Sequence, residues 1–124
     1  MFELRSRRVY DEPEAADGAR VLTDGLWPRG VSKERAALTC WRREAAPSPE
    51  LRRWYGHEPE KFAEFRARYR AELAQNPAAL ALVRECGALL ETENVTIVYA
   101  ARDGEHSNAA VLCEWMKEKM KEGI

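Results

Sequence analysis

The side chains of this chain that could do chemistry fall in two short polar loops. One is Arg102-Asp103-Gly104-Glu105-His106, followed at once by Ser107 and Asn108. The other is Asp24-Gly25-Leu26-Trp27-Pro28-Arg29-Gly30. Arginine carries a planar fork of donors that matches phosphate and carboxylate, so Arg29 and Arg102 are candidate anion-holding groups. Asp24 and His106 are the candidate acid and base, the histidine because its ring titrates near neutrality. Asp103 suits orienting Arg102 or His106, or accepting a ligand hydroxyl. Ser107 and Asn108 open a helix whose first N–H groups and partial positive charge would cradle an anion. A structural role is also open to the same residues. Asp103 with Ser107 or Asn108 could simply cap the helix, with Arg102 and His106 in solvent, while Trp27 packs inward and Pro28 stiffens a turn. His57, at a corner between helices, reads as structural.

The elements that would position these loops follow from hydrophobic patterning. Residues 95–101 are nearly all apolar, with only Thr96 polar, which predicts a strand covered on both sides as in α/β sheets. Residues 4–10 and 19–26 predict two more strands, separated by a turn or a single helical turn. That link is marginal for a crossover and leaves their relative direction open. Ser32 is placed to cap a short helix through Ala37, and residues 38–43 to extend. Ser48-Pro49-Glu50 predicts a helix start that Gly56 stops. A longer helix begins near Glu58-Pro59 and carries Phe62, Phe65, Tyr69 and Leu73 on one face. Asn76-Pro77 ends it and caps the next, with Leu80, Val83, Leu89 and Leu90 inward. The last helix buries Val111, Leu112, Trp115 and Met116. The fold class expected is a single α/β domain, residues 1–124, with a small mostly parallel or mixed sheet flanked by helices.

Composition narrows the function. The chain has 124 residues, 45% hydrophobic, with 20 Lys+Arg against 21 Asp+Glu and a net charge of −1. Such balance disfavours a protein that coats a nucleic-acid backbone. No apolar run is long enough for a membrane span, and the first residues lack a signal core, so a cytoplasmic location is expected. Cys40, Cys86 and Cys113 are too scattered for a disulfide framework or a metal pair, and two histidines give no basis for a transition-metal site. No phosphate-binding glycine loop, nucleophile elbow or zinc-protease motif occurs. The cofactor, the reaction and the oligomeric state are not specified by these patterns.

Arg8-Val-Tyr-Asp11, Asp17-Gly-x-Arg20-Val-Leu, Leu26-Trp-Pro-Arg-Gly30, Ala46-Pro-Ser48, Glu50-Leu-Arg52, Phe65-x-x-x-Tyr69-x-x-Glu72-Leu73 and Tyr99-x-Ala101-x-Asp103 together resemble the YeaO-like proteins, domain of unknown function 488. The resemblance covers nearly the whole chain. It implies a small cytoplasmic α/β protein and no established activity. Two departures from the family pattern stand out: Gly25 where arginine is usual, and Ser107 where asparagine is common. The leading expectation is a pocket for a small anionic ligand, such as a nucleotide or phosphorylated metabolite. Asp24, Arg29, Arg102, Asp103, His106, Ser107 and Asn108 would line it. The alternatives are a nucleic-acid-binding accessory protein using Arg52, Arg53, Arg66 and Arg70, and a non-catalytic interaction domain.

Two outcomes test this reading. Asp24 and Arg102 should lie at one edge of one sheet, facing a shared cavity. Trp27, Phe65, Tyr69, Val98 and Trp115 should form core, so Phe65→Ala should cost about 3–5 kcal/mol in denaturant unfolding. A loss below about 1 kcal/mol would mean that the helix after Pro59 faces elsewhere.

Overall fold

Val95–Tyr99, five buried residues without a charge, form the strand on which the sheet is built. The computed structural model, which describes residues 2–123, sets this strand (β4) between β1 (Leu4–Arg8) and β2 (Ala19–Leu22), with the short β3 (Cys40–Trp41) outside β2. All the pairings are parallel. Leu4 and Ala19 both stand opposite Val95, and Val21 stands opposite Cys40. The open direction of β1 and β2 is thereby settled. The link between Arg8 and Ala19 contains only a 3₁₀ turn, Ala15–Asp17. Ten residues at ~3.3 Å each reach roughly 33 Å, twice the length of a five-residue strand, so a largely extended return is long enough.

Alternation along the strands divides the sheet into two unlike faces. Leu4, Ala19, Val21, Val95, Ile97 and Tyr99 point to one side. There they join the main core with Phe65, Tyr69, Leu73, Leu82, Leu112, Trp115 and Met116. That layer is made by α2 (Pro49–Tyr55), α3 (Phe62–Ala74), α4 (Pro77–Leu89) and α5 (Asn108–Lys121). Phe65, Tyr69, Val98 and Trp115 are buried as expected. The other side has only the four-residue α1 (Lys33–Ala36) and a small cluster of Val9, Leu22, Val31, Ala36 and Val98. Trp27 sits half-buried at the edge of that cluster, edge-on to Trp41 with ring centres 5.4 Å apart.

The caps are the ones the sequence predicts. The side-chain oxygens of Ser32, Ser48, Asn76 and Ser107 accept the N–H groups of Arg35, Leu51, Ala78 and Ala110. Gly56 closes α2 at φ 55°. The strands are shorter than expected, because residues 9–10 and 23–26 leave the sheet to form loops, and Leu26 is 62% exposed.

Where a second helical layer is missing, a buried polar network takes its place. The Asp17 carboxylate, fully enclosed, accepts Arg20 Nη1 at 2.6 Å, Arg7 Nη1 at 3.0 Å and the Glu14 N–H at 3.0 Å. Arg20, 4% exposed, also donates Nε and Nη2 to the Ala36 carbonyl at the end of α1. Thr96 Oγ1 donates to the Asp17 carbonyl at 2.8 Å. One residue thus joins β1, β2, β4 and α1. Burial would raise the Asp17 carboxyl; the Glu14 N–H, Arg7 and Arg20 outweigh it and hold the group below its ordinary value. A carboxyl lowered in this way stabilises the fold above its unfolded value and loses that contribution as the pH falls through its folded one. Asp17→Asn should therefore cost about 3–5 kcal/mol at neutral pH, the effect of leaving a buried partner charge unpaired. The gap between parent and variant should close below about pH 4. Urea unfolding across pH reads both, and a neutral-pH cost under about 1 kcal/mol would remove the network from its central place.

Candidate functional site

The carboxyl ends of β2 and β4 lie side by side, and the connections that leave them diverge. The chain after β2 goes on to β3, while the chain after β4 turns into α5, which packs across β4 and β1. Such a divergence opens a crevice beyond the strand ends. Here it is a cavity of about 630 Å³. Asp24, Arg29, Arg102, Asp103, His106, Ser107 and Asn108 all line it, so the two polar loops converge.

Asp24 is fixed from several directions. Its carbonyl accepts Trp41 Nε1 at 2.8 Å. One carboxylate oxygen accepts the Ala100 N–H at 2.9 Å, and the other accepts Asn108 Nδ2 at 3.1 Å. The residue therefore ties β2 to β3, to the end of β4 and to the first turn of α5. Burial pushes its carboxyl above the usual range, against the opposing pull of Asn108, the Ala100 N–H and the charge of His57.

The loop after β4 is more built than its sequence suggests. Asp103 accepts the His106 N–H at 3.3 Å, and its second oxygen lies 2.6 Å from His106 Nδ1. Hydrogen bonding to His106 holds the Asp103 carboxyl below its ordinary value. The His106 ring stands edge-on to Phe62, and its carbonyl accepts the Tyr55 hydroxyl at 2.6 Å. Ser107, buried, caps α5 and donates to the Gly104 carbonyl at 2.8 Å. Asp103 and Ser107 thus serve the loop itself. Arg102 is exposed, with no ion pair or hydrogen bond from its side chain among the described residues.

Arg29 is also exposed and unpaired among the described residues, and no Arg29–Asp24 bridge braces the turn. Its carbonyl is held instead by the Tyr10 hydroxyl at 2.9 Å. Arg8 steadies the opposite loop, donating Nε to Ala101 O and Nη2 to Ala100 O while its guanidinium lies over the Tyr10 ring. Arg52 is the cavity cation that pattern reading assigned to a different surface. It projects from α2, and a Cβ placed on Gly25 would stand 3.7 Å from its Nη1. A guanidinium is therefore present beside the position where the YeaO-like pattern carries arginine. Only the direction in which α2 packs could reveal this, through Ser48, whose N–H and hydroxyl both donate to Glu72 of α3.

His57 and Tyr10 also line the cavity, and an apolar wall comes from Ala46, Pro47, Tyr55, Pro59 and Phe65. Arg66 and Arg70, which the nucleic-acid-binding alternative would use, pair with Glu114 at 2.7 and 2.9 Å, and Arg70 also with Glu118. Burial pushes the Cys86 and Cys113 thiols up to about 12, so neither supplies a thiolate. Among the described residues no group of three metal-ligating side chains converges. No helix there is long and apolar enough to cross a membrane.

Fold and site together define a single-domain, all-parallel α/β protein with a cation-rimmed cavity at the ends of its strands. The chain belongs to the DUF488 family: residues 3–123 match the model described as the inactive DUF488-N3 subclade. The uncharacterised protein Rv3073c of Mycobacterium tuberculosis is 44% identical over 111 residues, covering 90% of this chain and 91% of the relative. The uncharacterised protein YeaO of Escherichia coli is 37% identical over 116 residues, covering 94% and 98%. No solved structure matches the chain.

The raised carboxyl of Asp24 carries a signed expectation. A group raised on folding favours the fold below its unfolded value, and that contribution is lost as the pH rises through its folded one. Asp24→Asn keeps an acceptor for the Ala100 N–H and can pair with a rotated Asn108 amide. The variant should therefore be at least as stable as the parent at neutral pH, with its relative advantage shrinking as the pH falls toward about 4. Thermal melts at a series of pH values check this. A large loss at every pH would mean that the ionised form itself holds the loops together.

Proposed function

We propose that the cavity binds a small anionic ligand, a nucleotide or phosphorylated metabolite, and that this chain holds it without turning it over. The observation that carries the reading is the placement of cations. In a chain of net charge −1, Arg7, Arg20, Arg35, Arg42, Arg66, Arg68 and Arg70 all have carboxylate partners. Arg29, Arg52 and Arg102 have none among the described residues, which is true also of Arg5, Arg8, Arg43, Arg53 and Arg84, but these three line the same cavity. Unpaired guanidinium groups around a partly apolar hollow suit a phosphate on an organic body. The first turn of α5 adds backbone N–H groups and the positive end of its dipole.

Binding without turnover accords with the inactive subclade and with how the polar groups are used. Ser107 Oγ is engaged as cap and donor, and His106 Nδ1 is committed to Asp103. Asp24 and His106 are then ligand contacts, and a reaction would need a further partner that the cavity lining does not supply.

Thermal melts with millimolar inorganic phosphate and nucleoside monophosphates test the reading. A ligand at 100 times its Kd should add about 2.7 kcal/mol, roughly 10 °C in a domain of this size. Arg29→Ala, Arg52→Ala and Arg102→Ala should each melt within about 0.5 kcal/mol of the parent without ligand. Each should lose much of the ligand-induced rise, and high salt should shrink that rise in the parent. Phosphorus NMR should show the nucleotide unchanged after incubation. If no anion raises the parent melting temperature, or if the variants keep the full rise, the anion site is wrong.

A further inference from the structure

The cavity lining carries charges of both signs, and this constrains what can fill it. Arg29 and Arg102, both exposed, and Arg52, half-buried beside Gly25, supply its positive charge. At the strand ends stands Asp24, whose carboxylate takes only two neutral donors, the Ala100 N–H and Asn108 Nδ2, and no ion pair among the described residues. An ionised carboxylate offers about four acceptor positions over its two oxygens. One position on each oxygen is used, which leaves roughly two for a ligand. The apolar part of the lining includes Pro47, Tyr55, Pro59 and Phe65.

We infer that the ligand binds in one orientation, with its phosphate among Arg29, Arg52 and Arg102 and a neutral hydroxyl- or amino-bearing end donating to Asp24. The inference rests on the anion-site reading and adds the ligand class: phosphate monoesters with hydrogen-bond donors at the far end. Bisphosphates and other ligands anionic at both ends are excluded, because a second anion would meet a partly desolvated carboxylate that has no ion pair among the described residues and only the more distant charge of His57 to offset it. Donors meet the opposite situation. A ligand N–H or O–H supplies a donor that the half-buried Asp24 lacks, and the loss of such a charge-assisted hydrogen bond is strongly felt. Burial raises the Asp24 carboxyl, with Asn108, the Ala100 N–H and His57 opposing it.

Titration calorimetry with separate probes decides the matter. Inorganic phosphate reports the rim alone. Phenyl phosphate adds an apolar body without donors. Ribose phosphate adds hydroxyl donors, and dideoxyguanosine monophosphate adds amino and ring N–H donors without sugar hydroxyls. At least one donor-bearing ester should bind the parent about tenfold or more tighter than phenyl phosphate, the factor that ~1.4 kcal/mol gives. Whichever ester does so identifies the source of the donors. Asp24→Asn should lose that preference while binding inorganic phosphate at least as well as the parent. If that variant fails to fold, the ranking of esters on the parent decides alone. Phenyl phosphate binding as tightly as both donor-bearing esters overturns this inference and leaves the rim site standing. Failure of inorganic phosphate and every ester removes the rim site and the inference with it.

Discussion

Asp17 is a carboxylate with no access to water, and the geometry of the sheet depends on it. Through Arg7, Arg20 and Thr96 it reaches β1, β2 and β4, and through Arg20 the end of α1. An all-parallel sheet ordinarily needs apolar cover on both faces. Here one face has a full helical layer, and the other has a few apolar residues completed by charge. A buried ion pair adds little net stability over a well-packed apolar equivalent, yet it tolerates no missing partner. Its value is geometric. Donors and acceptors at fixed angles set where the return from β1 must pass. Gly18 follows from that path: at φ 62° a Cβ on it would stand 2.0 Å from the Asn94 carbonyl oxygen, so no larger residue fits.

The same face anchors the cavity. Arg20 holds Ala36, and Ala36 packs with Val31 and Leu22. Val31 accepts the Trp27 ring N–H at 2.6 Å, and Trp27 meets Trp41, whose own ring N–H holds the Asp24 carbonyl. A continuous chain of contacts therefore runs from the buried network to the loop that carries Asp24 and Arg29. The opposite loop is held from β1 by Arg8 on the Ala100 and Ala101 carbonyls. The rim arginines are free at their tips because the backbone beneath them is fixed by other groups. Binding then requires little ordering of the protein, which limits the entropic cost of association.

Much of this was legible in the sequence where the cause was local. Ser32, Ser48, Asn76 and Ser107 announce helix starts because a cap depends on the next three residues only. Val95–Tyr99 announces a central strand because both of its faces are apolar. The convergence of Asp24 and Arg102 was legible too, since strand ends in α/β sheets gather on one side. The order of the strands was not, because β1 and β2 never touch and the strand between them comes from the far end of the chain. Nor was the role of Asp17. Its partners lie on other strands, and a charged residue beside a glycine reads as a solvated turn. Arg52 was misplaced for a related reason. Neighbouring arginines on a short helix look alike until packing chooses which of them faces inward.

Asp24 shows how a structural role leaves room for the proposed binding role. The bonds to Ala100 and Asn108 hold the two cavity loops at a set distance, and they use one lone pair on each oxygen. The remaining lone pairs project from a group that is already immobile. A carboxylate free to rotate would have to be ordered by its ligand, and one paired with an arginine would already have its charge compensated. Neutral donors on one side leave the negative charge uncompensated and the geometry fixed. That combination destabilises the empty cavity slightly and favours any ligand that brings hydrogen bonds. The arginines provide the complementary condition at the mouth, positive charge without a protein partner. Other cations of the chain are also without ion pairs, but only at this cavity do three such arginines share one lining with a carboxylate held by neutral donors.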